Sequence, residues 1–326
     1  MQGRSVKTGI ILLLLTAITS TPAQASPEPW NVTGPEKCAE CHRVEYSIWE
    51  ETPHSLTYES MPDSEKGIEI GDAMGLDDVV EAELCQTCHL TLQSEGEAEE
   101  PEVIAGISCD SCHGASIGWM EPHAKEHKTP AEQKSLWAES EAAGMIRPGD
   151  VYTFAKNCLG CHVVPQENLV NTGGHAAGSE FNLVTWSQGI VRHNTFYSAD
   201  NNEATPERKR MMAVMGVAAE LQVGLNAAAA IKNTGGDYAK ALMERLQKAK
   251  SVLSEMATRT ASPGVKAIYE AVAELEIKLP IDKANATGAA ASIATSARAL
   301  SARGADLSAL DAMIESYGEY RGEPQT

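Results

Sequence analysis

No cysteine follows Cys161 in this 326-residue chain, and no histidine follows His193. The C-terminal stretch therefore lacks the thiol and imidazole ligands on which metal and thiol chemistry depends. No cysteine is surplus either. All eight fall in four C-x-x-C pairs, which leaves none for a structural disulfide. Cationic residues are few: 26 Lys and Arg stand against 45 Asp and Glu, for a net charge of −19. Such an acidic chain argues against nucleic acid and an anionic membrane surface as partners, and favours partners with basic patches. Long apolar runs are missing as well. Ile10 to Ile18 is apolar apart from Thr16, far short of the ~20 residues needed to span a bilayer, and no other stretch reads as long and apolar enough. Arg4 and Lys7 precede that segment, and Ala23-Gln24-Ala25 follows it as a small-x-small cleavage site. Residues 1–25 therefore read as a secretory signal. The expectation is a mature protein that starts near Ser26, soluble in the periplasm or outside the cell.

Length suggests about two domains, and composition divides the chain near residue 200. Residues 26–200 hold every C-x-x-C pair, every histidine and all five tryptophans. This part reads as short helical patches broken by Gly and Pro, with little regular strand. Glu95 to Glu102 is an acidic run that reads as a solvated loop. Residues 201–322 are rich in helix formers. Thr205-Pro206-Glu207 is a helix start, and Val214, Val217, Leu221 and Leu225 recur at helical spacing. Asn233-Thr234-Gly235-Gly236 and Ser262-Pro263-Gly264 break the pattern, and Leu242, Leu246, Ala249, Leu253 and Met256 mark a helix between them. A third helix carries Ile268, Val272 and Leu275. Alanine-rich helices follow from about Ala284 to Arg303 and from Leu307 to Tyr317. Short links imply antiparallel neighbours in a bundle. Met211, Met212 and Met215 continue the apolar stripe and read as core. The expected fold class is mainly α.

The four pairs are Cys38-Ala39-Glu40-Cys41-His42, Cys85-Gln86-Thr87-Cys88-His89, Cys109-Asp110-Ser111-Cys112-His113 and Cys158-Leu159-Gly160-Cys161-His162. C-x-x-C-H is the attachment signature of c-type haem. Two close thiols add to the two vinyl groups of one porphyrin, and the next residue turns its imidazole under the ring as proximal iron ligand. A thioredoxin-like pair or two four-cysteine zinc sites would not need a histidine after each second cysteine. With 9 histidines in 326 residues, four of four by chance is on the order of one in a million. Four covalently attached haems c are therefore expected, in a compact multihaem domain followed by the helical bundle. With so few residues per haem, the porphyrins themselves must supply much of the buried apolar surface.

Five histidines remain: His54, His123, His127, His175 and His193. All lie in the motif-bearing part, which suits distal axial ligands. His54, His123, His175 and His193 are the favoured candidates, and His127 is the spare. Met61, Met74 and Met120 are alternatives that read better as packing. Bis-histidine ligation keeps reduction potentials low. Val44 to Glu51 reads as a helix. His54, 12 residues after His42, would lie about 18 Å along if that helix continued, facing a neighbouring haem rather than its own.

Over residues 36–195 the chain resembles the tetrahaem cytochrome c-554 family. The likeness rests on Lys37-Cys38-Ala39-Glu40-Cys41-His42 with Trp49 and Thr52-Pro53-His54, on Gly106-Ile107-Ser108-Cys109-Asp110-Ser111-Cys112-His113-Gly114 with His123 downstream, and on the motif spacing. The resemblance implies His54 opposite His162, His123 opposite His42, a late histidine opposite His113, and a second haem open on one side. The segment Gly173-Gly174-His175 through Trp186-Ser187-Gln188-Gly189 to Arg192-His193-Asn194 departs from that pattern by offering two late histidines. His193, spaced like the family's late ligand, goes to the third haem. His175 then closes the second opposite His89, its glycines letting the backbone pass close to a porphyrin.

The function expected is electron transfer between redox partners in a respiratory chain, by an exported carrier rather than an enzyme. An enzyme acting on a small nitrogen or oxygen species at an open haem, and a structural haem-relay subunit of a filament or reductase complex, are the alternatives. Expected partners are redox proteins with basic surfaces, among them a membrane-bound quinol oxidoreductase or a terminal reductase, or a second copy of the chain. The tail is expected to dock a partner or cover one haem face.

Overall fold

Caps and glycines set the helix ends in the first half of the chain. The computed structural model describes residues 27–196 and 200–324, so the expected signal segment 1–25 lies outside the described residues. Helix α1 (Arg43–Glu50) follows the first motif. It stops at Thr52, whose N–H and hydroxyl both donate to the Trp49 carbonyl, at 2.9 and 2.8 Å. The helix therefore does not run on to His54, and the turn rather than helical rise sets that residue's direction. Helix α2 (Glu65–Met74) is capped by Ser64 and ends on left-handed Gly75. Strands β1 (Thr91–Gln93) and β2 (Glu102–Ala105) pair antiparallel, with Leu92 opposite Val103, and are the strands found among the described residues. Most of the acidic run is their exposed connection. Helix α3 (Pro130–Ala142) starts on a Thr129/Glu132 capping box.

Helix α4 (Val151–His162), capped by Asp150, carries the fourth motif on its last turn. The bundle follows: α5 (Pro206–Ala229), α6 (Asp237–Arg259), α7 (Pro263–Ala273) and α8 (Lys283–Arg303). Thr205 and Ser262 cap α5 and α7, each with Pro in first position. The last predicted helix, Leu307 to Tyr317, is a short 3-10 turn, Ser308–Leu310, and one helical turn, Asp311–Glu315. Helix α5 is central and packs on α4, α6 and α8. Its length and composition are those of a membrane span, which corrects the expectation that no other stretch would qualify. Its apolar residues are instead buried in the bundle core, Met212, Met215, Leu221 and Leu225 among them.

The fold is mainly α, as expected. The division at residue 200 is one of composition, and packing does not follow it. Val151, Tyr152, Ala155, Leu159 and Val163 belong to the same core as α5 to α8. The fourth motif is built on a helix of the bundle, and its Leu159 is a core residue.

Candidate functional site

In each motif a helical turn brings the thiols to one side and the histidine to the helix end. Glu83–His89, Cys109–His113 and α4 all finish on the motif histidine. In the first motif the helix Pro35–Ala39 stops early, and His42 N–H still donates to the Cys38 carbonyl at 2.9 Å. Gly114, after the third motif, has φ +85°, and an added Cβ would collide with the Gly144 carbonyl.

The structure brings eight of the nine histidines together in four pairs. Ring centroids are 5.8 Å apart for His42 and His123, 6.2 Å for His54 and His162, 6.3 Å for His89 and His175, and 6.2 Å for His113 and His193. Each pair joins one motif histidine to one from outside the motifs. His127 lies exposed beyond the helix Met120–Ala124 and takes no part in these pairs. Of the alternative methionines, Met74 packs on Gly173, with its sulfur 4.0 Å from Asn168 Nδ2.

The outer ring nitrogens are held. His113 Nδ1 is 3.2 Å from the Ile146 carbonyl, His175 Nδ1 2.8 Å from the Ala176 carbonyl, and His193 Nδ1 2.8 Å from the Val191 carbonyl. A carbonyl only accepts, so each Nδ1 carries the proton and each Nε2 keeps a free lone pair, the form a metal takes. His162 Nδ1 has the Ser179 hydroxyl at 2.9 Å. Burial disfavours the charged form of five of the paired rings. Desolvation lowers His113 and His162 to about 4, and lowers His54, His89 and His123 as well.

Other contacts tie the motifs into one cluster. The Asp110 side chain, inside the third motif, accepts from Gly34 N–H at 3.2 Å and from Ser116 N–H at 2.9 Å, fixing the entry to the first motif. Burial raises its pKa. Asn157 Nδ2, on α4, donates to the Ser111 carbonyl at 2.8 Å. Thr57 Oγ1 donates to the carbonyls of His54 and His89, at 2.8 and 2.6 Å. Cys38 lies beside Cys109 and Cys88 beside Cys161, while Cys112 lies within electrostatic reach of Cys158. The motifs thus lie in the spatial order first, third, fourth, second. Cys41 and Cys85 complete the eight thiols, exposed and buried respectively. Sequence reasoning missed Asp110, Asn157, Ser179 and the aromatic neighbours Phe181 and Phe196. Phe181 stacks on His162 at 4.5 Å and Phe196 lies 5.1 Å from His42. None has a periodic or motif signal beyond being polar or aromatic. The reason for Gly173 also differs from that expected: a Cβ there would press on Leu169 O, Met74 and Ile70.

The residues fit haem. Two imidazoles on opposite sides of one metal, each nitrogen about 2 Å from it, have ring centroids about 6 Å apart. Among the described residues no group of three or more His, Cys, Asp or Glu converges as a metal cluster, so the thiols are not gathered as zinc sites. Beside the ligand segments, Arg192 Nε and Arg245 Nη2 are buried without a partner, donors suited to carboxylates such as a porphyrin's propionates.

Residues 37–114 match the family model described as cytochrome c554 and c-prime. The chain is 27% identical over 163 residues to cytochrome c-554 of Nitrosomonas europaea, an alignment covering 48% of this chain and 66% of that protein. No solved structure matches the chain. With a motif histidine facing a second histidine in all four pairs, and the first three motifs inside the matched segment, the motif-bearing part of the chain is similar to the cytochrome c-554-type c-type cytochromes.

Proposed function

We propose that the chain carries four haems c and relays electrons between redox partners outside the cytoplasmic membrane, as an exported member of a respiratory chain. The observation that carries this reading is the set of four histidine pairs at a common spacing. Attachment is through Cys38/Cys41, Cys85/Cys88, Cys109/Cys112 and Cys158/Cys161. His42, His89, His113 and His162 are proximal ligands, and His123, His175, His193 and His54 are their distal partners in that order. When bound, each haem supplies one-electron chemistry at low potential. The protein's part would be to hold a pair of histidines at every iron, which favours transfer over catalysis. Where the family resemblance implies an open second haem, His175 stands opposite His89.

The contacts between motifs support a path in the order first, third, fourth, second. The surface supports a basic partner at the second-motif end. Between Glu59 and Glu83, nine exposed carboxylates surround one exposed lysine, Lys66. A membrane-bound quinol oxidoreductase or a terminal reductase with a complementary basic face fits that charge.

Intact mass after denaturation tests the count. The expected value is the chain without residues 1–25 plus four haems. The bare polypeptide, or two zinc ions in the native protein, would overturn the reading.

A further inference from the structure

We propose that Arg245, on bundle helix α6, is a positioning residue of the fourth haem that orients His162 and sets that haem's reduction potential. The inference rests on the reading that Cys158-Leu159-Gly160-Cys161-His162 carries a haem. Arg245 comes from the part of the chain that has no haem motif, yet it reaches the proximal ligand. Its Nη1 donates to the Ser179 carbonyl at 2.8 Å and to the His162 carbonyl at 3.2 Å. Ser179 in turn bonds both ends of the same histidine: its hydroxyl lies 2.9 Å from His162 Nδ1, and its N–H donates to the His162 carbonyl at 3.2 Å. One guanidinium therefore fixes both the ring's outer partner and the ring's own backbone. Such an outer partner orients a ligating imidazole and tunes its basicity. The chain makes room for it. Gly178 has φ +95°, and a Cβ there would meet Arg245 Nη1.

Arg245 is also a buried charge. An arginine stays cationic in a protein, and a nearby cation favours the reduced, less positive iron. Its counter-charge is Glu220 on α5, which accepts from Nε at 2.7 Å on the side away from the histidine's bonds. The remaining nitrogen, Nη2, is buried without a protein partner. An unpaired guanidinium N–H next to a proximal ligand suits a propionate of the same haem.

The two charges predict shifts of opposite sign, which a merely structural role would not produce. In the full-length haem-loaded protein, Arg245→Gln should move one of four steps in a spectroelectrochemical titration to lower potential. The expected size is an about tenfold change in that haem's reduction equilibrium, or about 59 mV for one electron. Glu220→Gln should move the same step upward. Arg245→Lys should keep the potential near the original but change the low-spin EPR signal of one haem, because an ammonium lacks the planar fork. Unmoved potentials with four haems attached, or shifts of the same sign in the two Gln variants, would overturn the proposal. If Arg245→Gln does not fold, Glu220→Gln and Arg245→Lys decide it alone. Peptide mass mapping of the unmutated protein separates the two claims, since a Cys158/Cys161 peptide without haem would refute the underlying reading instead.

Discussion

Deleting residues 201–326 is expected to abolish the proposed four-haem assembly, leaving at most the His42/His123 site. Every other pair leans on the bundle. Helix α4, which ends on His162, buries Val151, Tyr152 and Leu159 in the bundle core, and the next residue, Val163, joins them. Burial of each such side chain stabilises by about 1.5–3 kcal/mol. Exposing four of them removes an amount comparable with the whole stability of a typical domain, about 5–15 kcal/mol. The segment before His175 is fastened to the turn between α5 and α6. Glu167 accepts from the N–H groups of Lys232 and Asn233 at 2.8 and 2.7 Å, and Asn171 from that of Tyr238 at 3.0 Å. The segment before His193 is strapped by the C-terminal residues: Ile190 N–H donates to the Arg321 carbonyl at 3.0 Å, and Arg321 N–H to the Thr185 carbonyl at 2.9 Å. Haem staining of the truncated chain on a denaturing gel, with intact mass, reads the outcome. A stable 26–200 fragment with four low-spin haems would show that the contacts with α5 to α8 are dispensable.

Replacing His175 by Ala should convert one haem to high spin and leave three unchanged. His175 faces His89 at 6.3 Å, so its loss opens a single coordination position. Its surroundings give it no second role in the core. The loop is held through backbone bonds, His175 N–H to Leu169 O and Gly174 N–H to Val170 O, both at 3.2 Å, which the substitution keeps. EPR and absorption spectra count the high-spin iron directly. His127→Ala is the control and should leave all four haems low-spin. A high-spin haem in the unmutated protein would refute the assignment and favour a reaction at an open iron. If the same variant gains binding of a small ligand such as carbon monoxide at one haem, the substitution has opened a coordination position.

The chemistry and the helices could be read without coordinates. C-x-x-C-H is local: three residues of two types at fixed spacing occupy little more than one helical turn, and the spacing alone states what the turn can bind. The bundle helices were legible for a similar reason, since the positions of Leu242, Leu246, Leu253 and Met256 repeat with the helix and Thr205 and Ser262 cap where side-chain hydroxyls can reach a free N–H. Which histidine meets which is not local. His54 reaches His162 across more than a hundred residues because Thr52 turns the chain and Thr57 and Ile107 hold the His54 carbonyl; the family likeness, not periodicity, supplied that pairing beforehand. Only the tertiary structure decided that α4 belongs to the bundle core and that Arg245 reaches His162. A cysteine-free composition marks where the haem-attachment motifs end, whereas burial depends on which faces meet, and the apolar face of α4 meets α5 and α8.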